Sequence, residues 1–137
     1  MTVRLNPYIN FRSSAREALT FYQSIFGGDL TLSTYAEGGM PHDPAEAGKI
    51  MHGQLMANDM TLMISDAPAG MPVADGSNIS VSLSGDDEAA LRGYWNGLVA
   101  GGKPVMPLEK APWGDTFGML VDKFGVSWMV NIAGQPG

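Results

Sequence analysis

A strand–turn–strand pattern that occurs twice constrains the fold of this chain more than any other feature. The clearer copy spans residues 116–132, where two runs of alternating β-branched and aromatic residues flank Asp122-Lys123-Phe124-Gly125. Gly125 suits a tight turn, because glycine adopts positive φ at little steric cost. Residues 50–65 repeat the pattern around Asn58-Asp59, a pair suited to turn positions with positive φ. The repetition predicts a chain with two similar halves.

In the first half, a strand, a helix and a second strand precede the hairpin. Residues 5–11 alternate in polarity, which predicts a strand. Ser14 and Glu17 fit a capping box at the start of a helix that continues to about residue 26. Gly27-Gly28 then predicts a left-handed cap at the end of the helix, and residues 30–35 predict the second strand.

The second half follows the same order. Residues 79–83 alternate in polarity and predict a strand. Asp86 or Asp87 can cap a helix that continues to about residue 100 and ends at Gly101-Gly102. A short strand is predicted around Val105, before the final hairpin.

The repeated order of elements predicts an α+β fold made of duplicated βαβββ modules. We place the modules at about residues 3–67 and 77–133 of a single domain, residues 1–137. The two glycine pairs are 74 residues apart and the final strands about 66, so the first half has extra residues, which we assign to the loop 37–48. In each module we expect a four-stranded sheet with its helix on one face and the other face open.

Composition and charge limit the partners of the chain. Its net charge is −6, with eight basic residues scattered among fourteen acidic ones, which disfavours nucleic acid and tolerates a cationic small molecule. The absence of cysteine excludes disulfides and thiolate metal sites. No apolar run approaches the roughly 18 residues of a membrane span, and the first residues do not form a secretory leader. We therefore expect a cytoplasmic protein without a membrane partner.

Several segments between residues 5 and 132 resemble the glyoxalase, bleomycin-resistance and extradiol-dioxygenase group, the vicinal oxygen chelate superfamily, and most closely its PhnB-like branch. The segments are Phe21–Gly28, Lys49–His52, Leu62–Asp66, Trp113–Asp115, Phe117–Leu120 and Asp122–Trp128. The resemblance implies that the two sheets form a half-barrel, that the protein is a homodimer, and that enzymatic relatives bind one divalent metal. Their metal ligands are His, Gln or Glu near the middle of the first and last strands of each half.

The ligand positions that the resemblance implies carry poor ligands in this chain. They fall on Pro7 or Tyr8, Met63, Asn78 and Met129. Catalytic divalent metals prefer imidazole and carboxylate, whereas a thioether is soft and an amide is weak. We therefore expect no metal cofactor. The alternative is a divalent metal held by a displaced set, such as His52 with a carboxylate.

His52 is the strongest single candidate for chemistry, because an imidazole can bind a metal or transfer a proton near neutral pH. A histidine that is only hydrogen-bonded at a sheet surface is the competing interpretation. His42, in the loop with Asp43 and Glu46, is a weaker candidate, and a solvated loop explains it equally well. The predicted ligand pocket comprises Tyr8, His52, Gln54, Met63, Asn78, Trp113, Phe117 and Met129.

Other polar and aromatic residues have simpler explanations. Asp66, Glu109 and Lys110 are candidate polar contacts for a ligand, although the prediction we favour is that they are charges at the rim of the pocket. Trp95 and Trp128 are predicted to lie in the core, because helical spacing and strand alternation account for them.

Two functions follow from these features. The first is a PhnB-like homodimer that binds a small organic molecule, such as a toxic or antibiotic compound, without the usual metal. The second is a metal-dependent lyase or dioxygenase that uses His52. Relatives in this branch often carry a ubiquinone-pathway methyltransferase label, which we discount: both glycine pairs follow a helix, whereas a nucleotide-binding loop precedes one, and the chain is short for a methyl-donor domain.

Overall fold

The duplication predicted from the sequence is present in the structure. The computed structural model describes residues 3–39, 44–68 and 78–134. The chain divides into a first unit, residues 1–73, and a second unit, residues 74–137. The described part of each unit contains a four-stranded sheet and follows the order strand, helix, strand, strand, strand. The predicted α+β fold of duplicated βαβββ modules is therefore confirmed.

The first unit builds a mixed sheet in the order β1-β4-β3-β2. β1 is parallel to β4, and the other pairs are antiparallel. Helix α1 buries Ala15, Ala18, Leu19 and Tyr22, which repeat with helical spacing. The elements are β1 (Tyr8–Phe11), α1 (Ala15–Phe26), β2 (Asp29–Thr34), α2 (Tyr35–Gly38), a 3₁₀ turn (Pro44–Glu46), β3 (Ile50–Ala57) and β4 (Met60–Asp66).

The second unit repeats this topology in the order β5-β8-β7-β6, with β5 parallel to β8. Helix α3 buries Leu91, Trp95 and Leu98. Trp95 and Trp128 are both buried, so the prediction that they lie in the core is confirmed. The elements are β5 (Val81–Gly85), α3 (Glu88–Val99), β6 (Lys103–Lys110), β7 (Thr116–Val121) and β8 (Ser127–Ile132).

The predicted capping box at the start of α1 is wrong. Ser14 occupies the N-cap position, but its side chain accepts no capping hydrogen bond. The Ala15 amide instead donates to Oδ1 of Asp66 at 3.0 Å, and the Ile50 amide donates to Oδ2 at 3.0 Å. Asp66 is only 2% exposed, so the prediction of a rim charge is also wrong. Strand alternation turns its side chain toward α1, where a buried carboxylate satisfies two amides.

Helix α3 is capped as the sequence predicts. Asp87 is its N-cap residue, and the side chain of Asp87 accepts a hydrogen bond from the Ala90 amide at 3.1 Å. This contact spans three residues, so the local sequence contains all the information needed to predict it.

Several boundaries differ from the prediction, and the first of them is that β1 begins at Tyr8 rather than at residue 5. β5 begins at Val81, so Asn78 lies outside the strand and Ile79 is 72% exposed. β6 is an eight-residue edge strand whose pairing with β7 is irregular, which weakened its pattern in the sequence. The predicted loop 37–48 contains the end of α2 and the 3₁₀ turn, with residues 40–43 outside the described part.

The limits of the two modules stay a prediction. Residues 69–77, which include most of the segment between the two predicted modules, lie outside the described part of the chain. Within the described part, no helix is both long and apolar enough to cross a membrane.

The second glycine of each helix-ending pair lies against a neighbouring strand. A Cβ on Gly28 would meet the carbonyl oxygen of Met56, and a Cβ on Gly102 would meet that of Val121. The first glycine, Gly27, has φ 72° and ψ −155°, so the predicted left-handed helical cap does not form there. The glycine pairs therefore allow the chain that follows each helix to pass close to the sheet of the same unit.

Candidate functional site

The first unit presents a polar sheet surface opposite α1, which we call the first face. A Cβ on Gly53 would meet Leu19 of α1, so Gly53 points toward the helix and its neighbours His52 and Gln54 point away. Paired residues in adjacent strands share a face, which arranges the first face in two long rows that cross all four strands and one shorter row. The two long rows are Thr31, Gln54, Met63 and Tyr8, and Ser33, His52, Ser65 and Asn10. The shorter row is Asp29, Met56 and Thr61.

Two side-chain contacts connect residues of the first face. The Tyr8 hydroxyl lies 3.3 Å from Nδ1 of His52, and the two ring centroids are 5.8 Å apart. The Ser65 hydroxyl donates to Oδ1 of Asn10 at 2.8 Å. Tyr8 is 48% exposed and His52 is half-buried, so a small molecule can reach both.

None of the eight side chains of the two long rows is Asp, Glu, Lys or Arg. They offer hydroxyl, amide and imidazole groups beside the thioether of Met63. Such a surface can donate hydrogen bonds to a polar molecule and accept them from it. The flexible methionine side chain lets the surface adapt its shape. Sequence analysis did not single out Asn10, Thr31 or Ser33, although alternation in the predicted strands already separated these residues from their apolar neighbours.

The second unit has an equivalent surface opposite α3, which we call the second face. A Cβ on Gly118 would meet Trp95 of α3, so Phe117 and Met119 point away from the helix. The second face has two long rows that cross all four strands and a shorter row of Lys103, Val121 and Ser127. The two long rows are Ser82, Met129, Met119 and Met106, and Ser84, Asn131, Phe117 and Glu109.

A carboxylate is fixed at the edge of the second face. Oδ2 of Asp115 accepts a hydrogen bond from Nδ2 of Asn131 at 3.0 Å, and Oδ1 accepts one from the Gly134 amide at 2.8 Å. The Asn131 bond, followed by the Gly134 bond, lowers the pKa of Asp115 below its usual value, with a further contribution from the side chain of Trp113. Asp115 is therefore negatively charged at neutral pH, and the sequence analysis did not single it out.

Most residues of the predicted pocket lie on the two faces. Tyr8, His52, Gln54 and Met63 share the first face, and Phe117 and Met129 share the second. Trp113 lies in the loop beside Phe117, with ring centroids 5.7 Å apart. Asn78 precedes β5 and belongs to neither face, and His42 lies outside the described residues.

The strand register corrects one of the four implied metal-ligand positions. Tyr8 pairs with Met63, which selects Tyr8 rather than Pro7. In the second unit Ser82 pairs with Met129, so Ser82 replaces Asn78 at the corresponding position. A phenol, a hydroxyl and two thioethers do not suit a catalytic divalent metal.

A displaced metal site around His52 also lacks support from the donor set. Within residues 3–39, 44–68 and 78–134, no three His, Asp or Glu side chains are grouped as metal ligands. Asp66, which follows Ser65 on β4, turns toward α1 and accepts two backbone hydrogen bonds there. The described residues near His52 therefore do not fit a metal centre.

Comparison with known proteins places the chain among relatives that match its whole length. A family model described as 3-demethylubiquinone-9 3-methyltransferase matches residues 4–131. Protein YjdN of Escherichia coli K12 is 29% identical, over 96% of each chain. The crystal structure of protein PA1353 from Pseudomonas aeruginosa has a TM-score of 0.85 and 34% identity, over 98% of this chain and 100% of that one.

Two further structures agree with this placement. A PhnB protein from Bacillus cereus has a TM-score of 0.75 and 27% identity, over 96% of this chain and 100% of that one. A glyoxylase/bleomycin resistance protein/dioxygenase domain from Frankia sp. has a TM-score of 0.69 at 11% identity, over 100% and 95%, and shares the fold.

The duplicated βαβββ units and these likenesses define the vicinal oxygen chelate fold, which the chain shares with the glyoxylase/bleomycin resistance protein/dioxygenase domain from Frankia sp.. The chain belongs to the PhnB-like family, whose model is the one described as 3-demethylubiquinone-9 3-methyltransferase.

Proposed function

We propose that this PhnB-like protein binds a small, uncharged polar organic molecule on its first face, without a metal. The observation that carries the proposal is the pair of adjacent contacts on an open sheet surface, Tyr8 with His52 and Asn10 with Ser65. The pairs hold hydrogen-bonding groups in a fixed arrangement, and the half-exposed ring of Tyr8 adds apolar surface beside them.

The composition of the first face supports a ligand more than simple solvation. Solvent-facing surfaces usually carry Lys, Arg, Asp and Glu, yet none of the eight positions in the two long rows is one of these residues, and the shorter row contributes one, Asp29. Small-molecule sites instead combine apolar side chains with a few neutral polar groups that orient the ligand. We therefore expect a ligand with hydroxyl, carbonyl or amide groups and no net charge.

Sequestration of a toxic or antibiotic compound is a concrete form of this function. The fold that the chain shares with a glyoxylase/bleomycin resistance protein/dioxygenase domain supports it, and a binder needs no reactive group beyond those on the first face. The alternative of a metal-dependent lyase or dioxygenase has less support, because the donor set around His52 does not fit a metal. Methyl transfer is not proposed, since the sequence has no glycine-rich loop before a helix. The homodimer stays a prediction.

The proposal is tested by titrating isotope-labelled protein with a collection of uncharged aromatic amides and phenols and recording NMR spectra. We expect bound molecules to shift the methyl signal of Met63 and the side-chain amide signals of Gln54 and Asn10. These three groups lie on the first face, whereas α1 covers the opposite one. Responses confined to α1 would contradict the proposal.

Variants of Tyr8 and His52 test whether this pair binds the molecule. We expect His52→Ala to weaken binding of such a molecule about tenfold, and Tyr8→Phe to weaken it about threefold, because each removes hydrogen bonds of ordinary strength. Asn96→Ala is the matched control, since Asn96 is exposed on α3 in the second unit. Equal affinity in all four proteins would show that the first face is not the binding site.

A further inference from the structure

The loop between β6 and β7 brings two aromatic rings together at one end of the second face. Trp113 is 62% exposed, and its ring meets that of Phe117 edge to face at an interplanar angle of 62°. The loop is closed by hydrogen bonds from the Ala111 amide to the Asp115 carbonyl, at 2.7 Å, and from the Gly114 amide to the Ala111 carbonyl, at 3.0 Å. A large exposed indole is therefore held by an ordered loop.

The Asp115 carboxylate lies in the same cluster. Asn131, which holds one of its oxygens, pairs with Phe117 across β7 and β8. Asp115 accepts the hydrogen bonds from Asn131 and Gly134, and the Trp113 side chain donates a third. A carboxylate has about four lone-pair sites, so acceptor capacity for one further donor is left over. The carboxylate is thus both oriented by the protein and able to bind a donor.

A second carboxylate occupies the same row. Glu109 pairs with Phe117 and is exposed, so its side chain points to the same face as the phenyl ring. Lys110, the next residue along β6, points to the opposite face. Lys103 pairs with Val121, four residues from Phe117 and therefore about 13 Å along the strand. The surroundings of the two rings are accordingly negative.

We propose that this cluster, Trp113, Phe117, Asp115 and Glu109, is a binding site for an organic ammonium cation. Aromatic faces attract cations through their quadrupole, and Trp is the strongest of them. Two rings at a wide angle form two walls for an alkylammonium group, and the carboxylates supply the counter-charge.

A protein-docking surface explains the cluster less well than a cation does. An apolar partner would cover both carboxylates and remove them from water, which is costly without a compensating charge. A cation compensates that charge itself. All four residues of the site belong to the second unit, whereas the residues of the first face belong to the first.

The test is a titration of labelled protein with choline, followed by the three indole N–H signals of the chain. Trp95 and Trp128 are buried, so we expect only the Trp113 signal to move. The neutral isostere 3,3-dimethylbutan-1-ol should bind at least about tenfold more weakly, since it lacks the charge. Equal responses to the two compounds, or none at Trp113, would overturn the proposal.

Variants separate the contributions of charge and ring. Asp115→Asn and Phe117→Leu should each weaken choline binding about tenfold. In Asp115→Asn, the remaining carbonyl oxygen can still accept the Gly134 amide, which preserves the loop. Asp86→Asn, which changes an exposed acidic residue of the same unit, should leave the affinity unchanged. Unchanged binding in Asp115→Asn would overturn the cation site.

His52→Ala distinguishes the two proposals. Choline binding should be unaffected by it, because His52 is not one of the four residues of the proposed cation site. If choline binding disappears in His52→Ala while folding is intact, the second-face site is wrong. If choline binds as expected and no uncharged molecule binds the first face, only the proposed function is wrong.

Discussion

Asp66→Ala is expected to lower the free energy of unfolding by about 3–5 kcal/mol, because it leaves two buried amide donors without an acceptor. In the native protein these donors are the amides of Ala15 and Ile50, each 3.0 Å from one oxygen of the carboxylate. Asp66 therefore joins the start of α1 to the start of β3. The backbone carbonyl of Asp66 also accepts the hydroxyl of buried Tyr35, at 2.6 Å, so the same residue is surrounded by ordered groups.

Urea denaturation of three variants tests this expectation. Asp66→Asn keeps one oxygen acceptor but presents an amide group to the other donor, so a loss of about 2 kcal/mol is expected. Asp29→Ala is the matched control: this aspartate is exposed on β2, and its removal should change stability by less than about 0.5 kcal/mol. If Asp66→Ala is no more destabilising than Asp29→Ala, the buried carboxylate does not hold the first unit together.

Gly28→Ala is expected to cost about 3–4 kcal/mol, for two separate reasons. Gly28 has φ +87°, a conformation that L-residues rarely adopt and that costs about 1–2 kcal/mol for alanine. In addition, the new Cβ would collide with the carbonyl oxygen of Met56 and with Ala57. The collision involves backbone, so it requires a strand to move, and overpacking of this kind costs roughly 1–3 kcal/mol.

Two other glycines separate these contributions. Gly125 has nearly the same φ, +85°, but a Cβ there meets nothing within 4 Å, so Gly125→Ala should cost only about 1–2 kcal/mol. Gly102→Ala meets the carbonyl of Val121 and measures the crowding alone. Thermal and urea unfolding of the three variants give the comparison. Equal losses for Gly28→Ala and Gly125→Ala would show that the close approach of Gly28, between α1 and β2, to β3 does not contribute to stability.

The helices and hairpins could be predicted because their signals are local. The turn at Asn58 was read from its residue type and has the expected positive φ, 53°. The cap of α3 involves Asp87 and Ala90, three residues apart. The cap of α1 comes from Asp66, which is 51 residues from Ala15, and no pattern near Ser14 reveals that a distant carboxylate takes the place of the local hydroxyl.

The candidate site was predictable to a similar extent. Alternation along β3 and β4 placed His52, Gln54 and Met63 away from the apolar face. The contact of Tyr8 with His52 spans 44 residues and depends on the sheet order β1-β4-β3, which the sequence does not specify. Asn78 was misplaced because β5 begins only at Val81, three residues after Asn78.

The second face could also be predicted only in part, because its contacts join residues that are distant in the sequence. Asp115 was noted only as part of a motif, because its role depends on Asn131, sixteen residues away on β8. The exposure of Trp113 also depends on the shape of the loop, since a tryptophan in the sequence more often predicts core.

The central claim, a ligand-binding face without a metal centre, is tested most directly by metal content. Untagged protein, purified without chelator, would be analysed for divalent ions, and its affinity for an uncharged first-face ligand measured before and after dialysis against EDTA. The account predicts far less than one ion per chain and the same affinity in both states. About one ion per chain, lost in His52→Ala together with the ligand affinity, would contradict it.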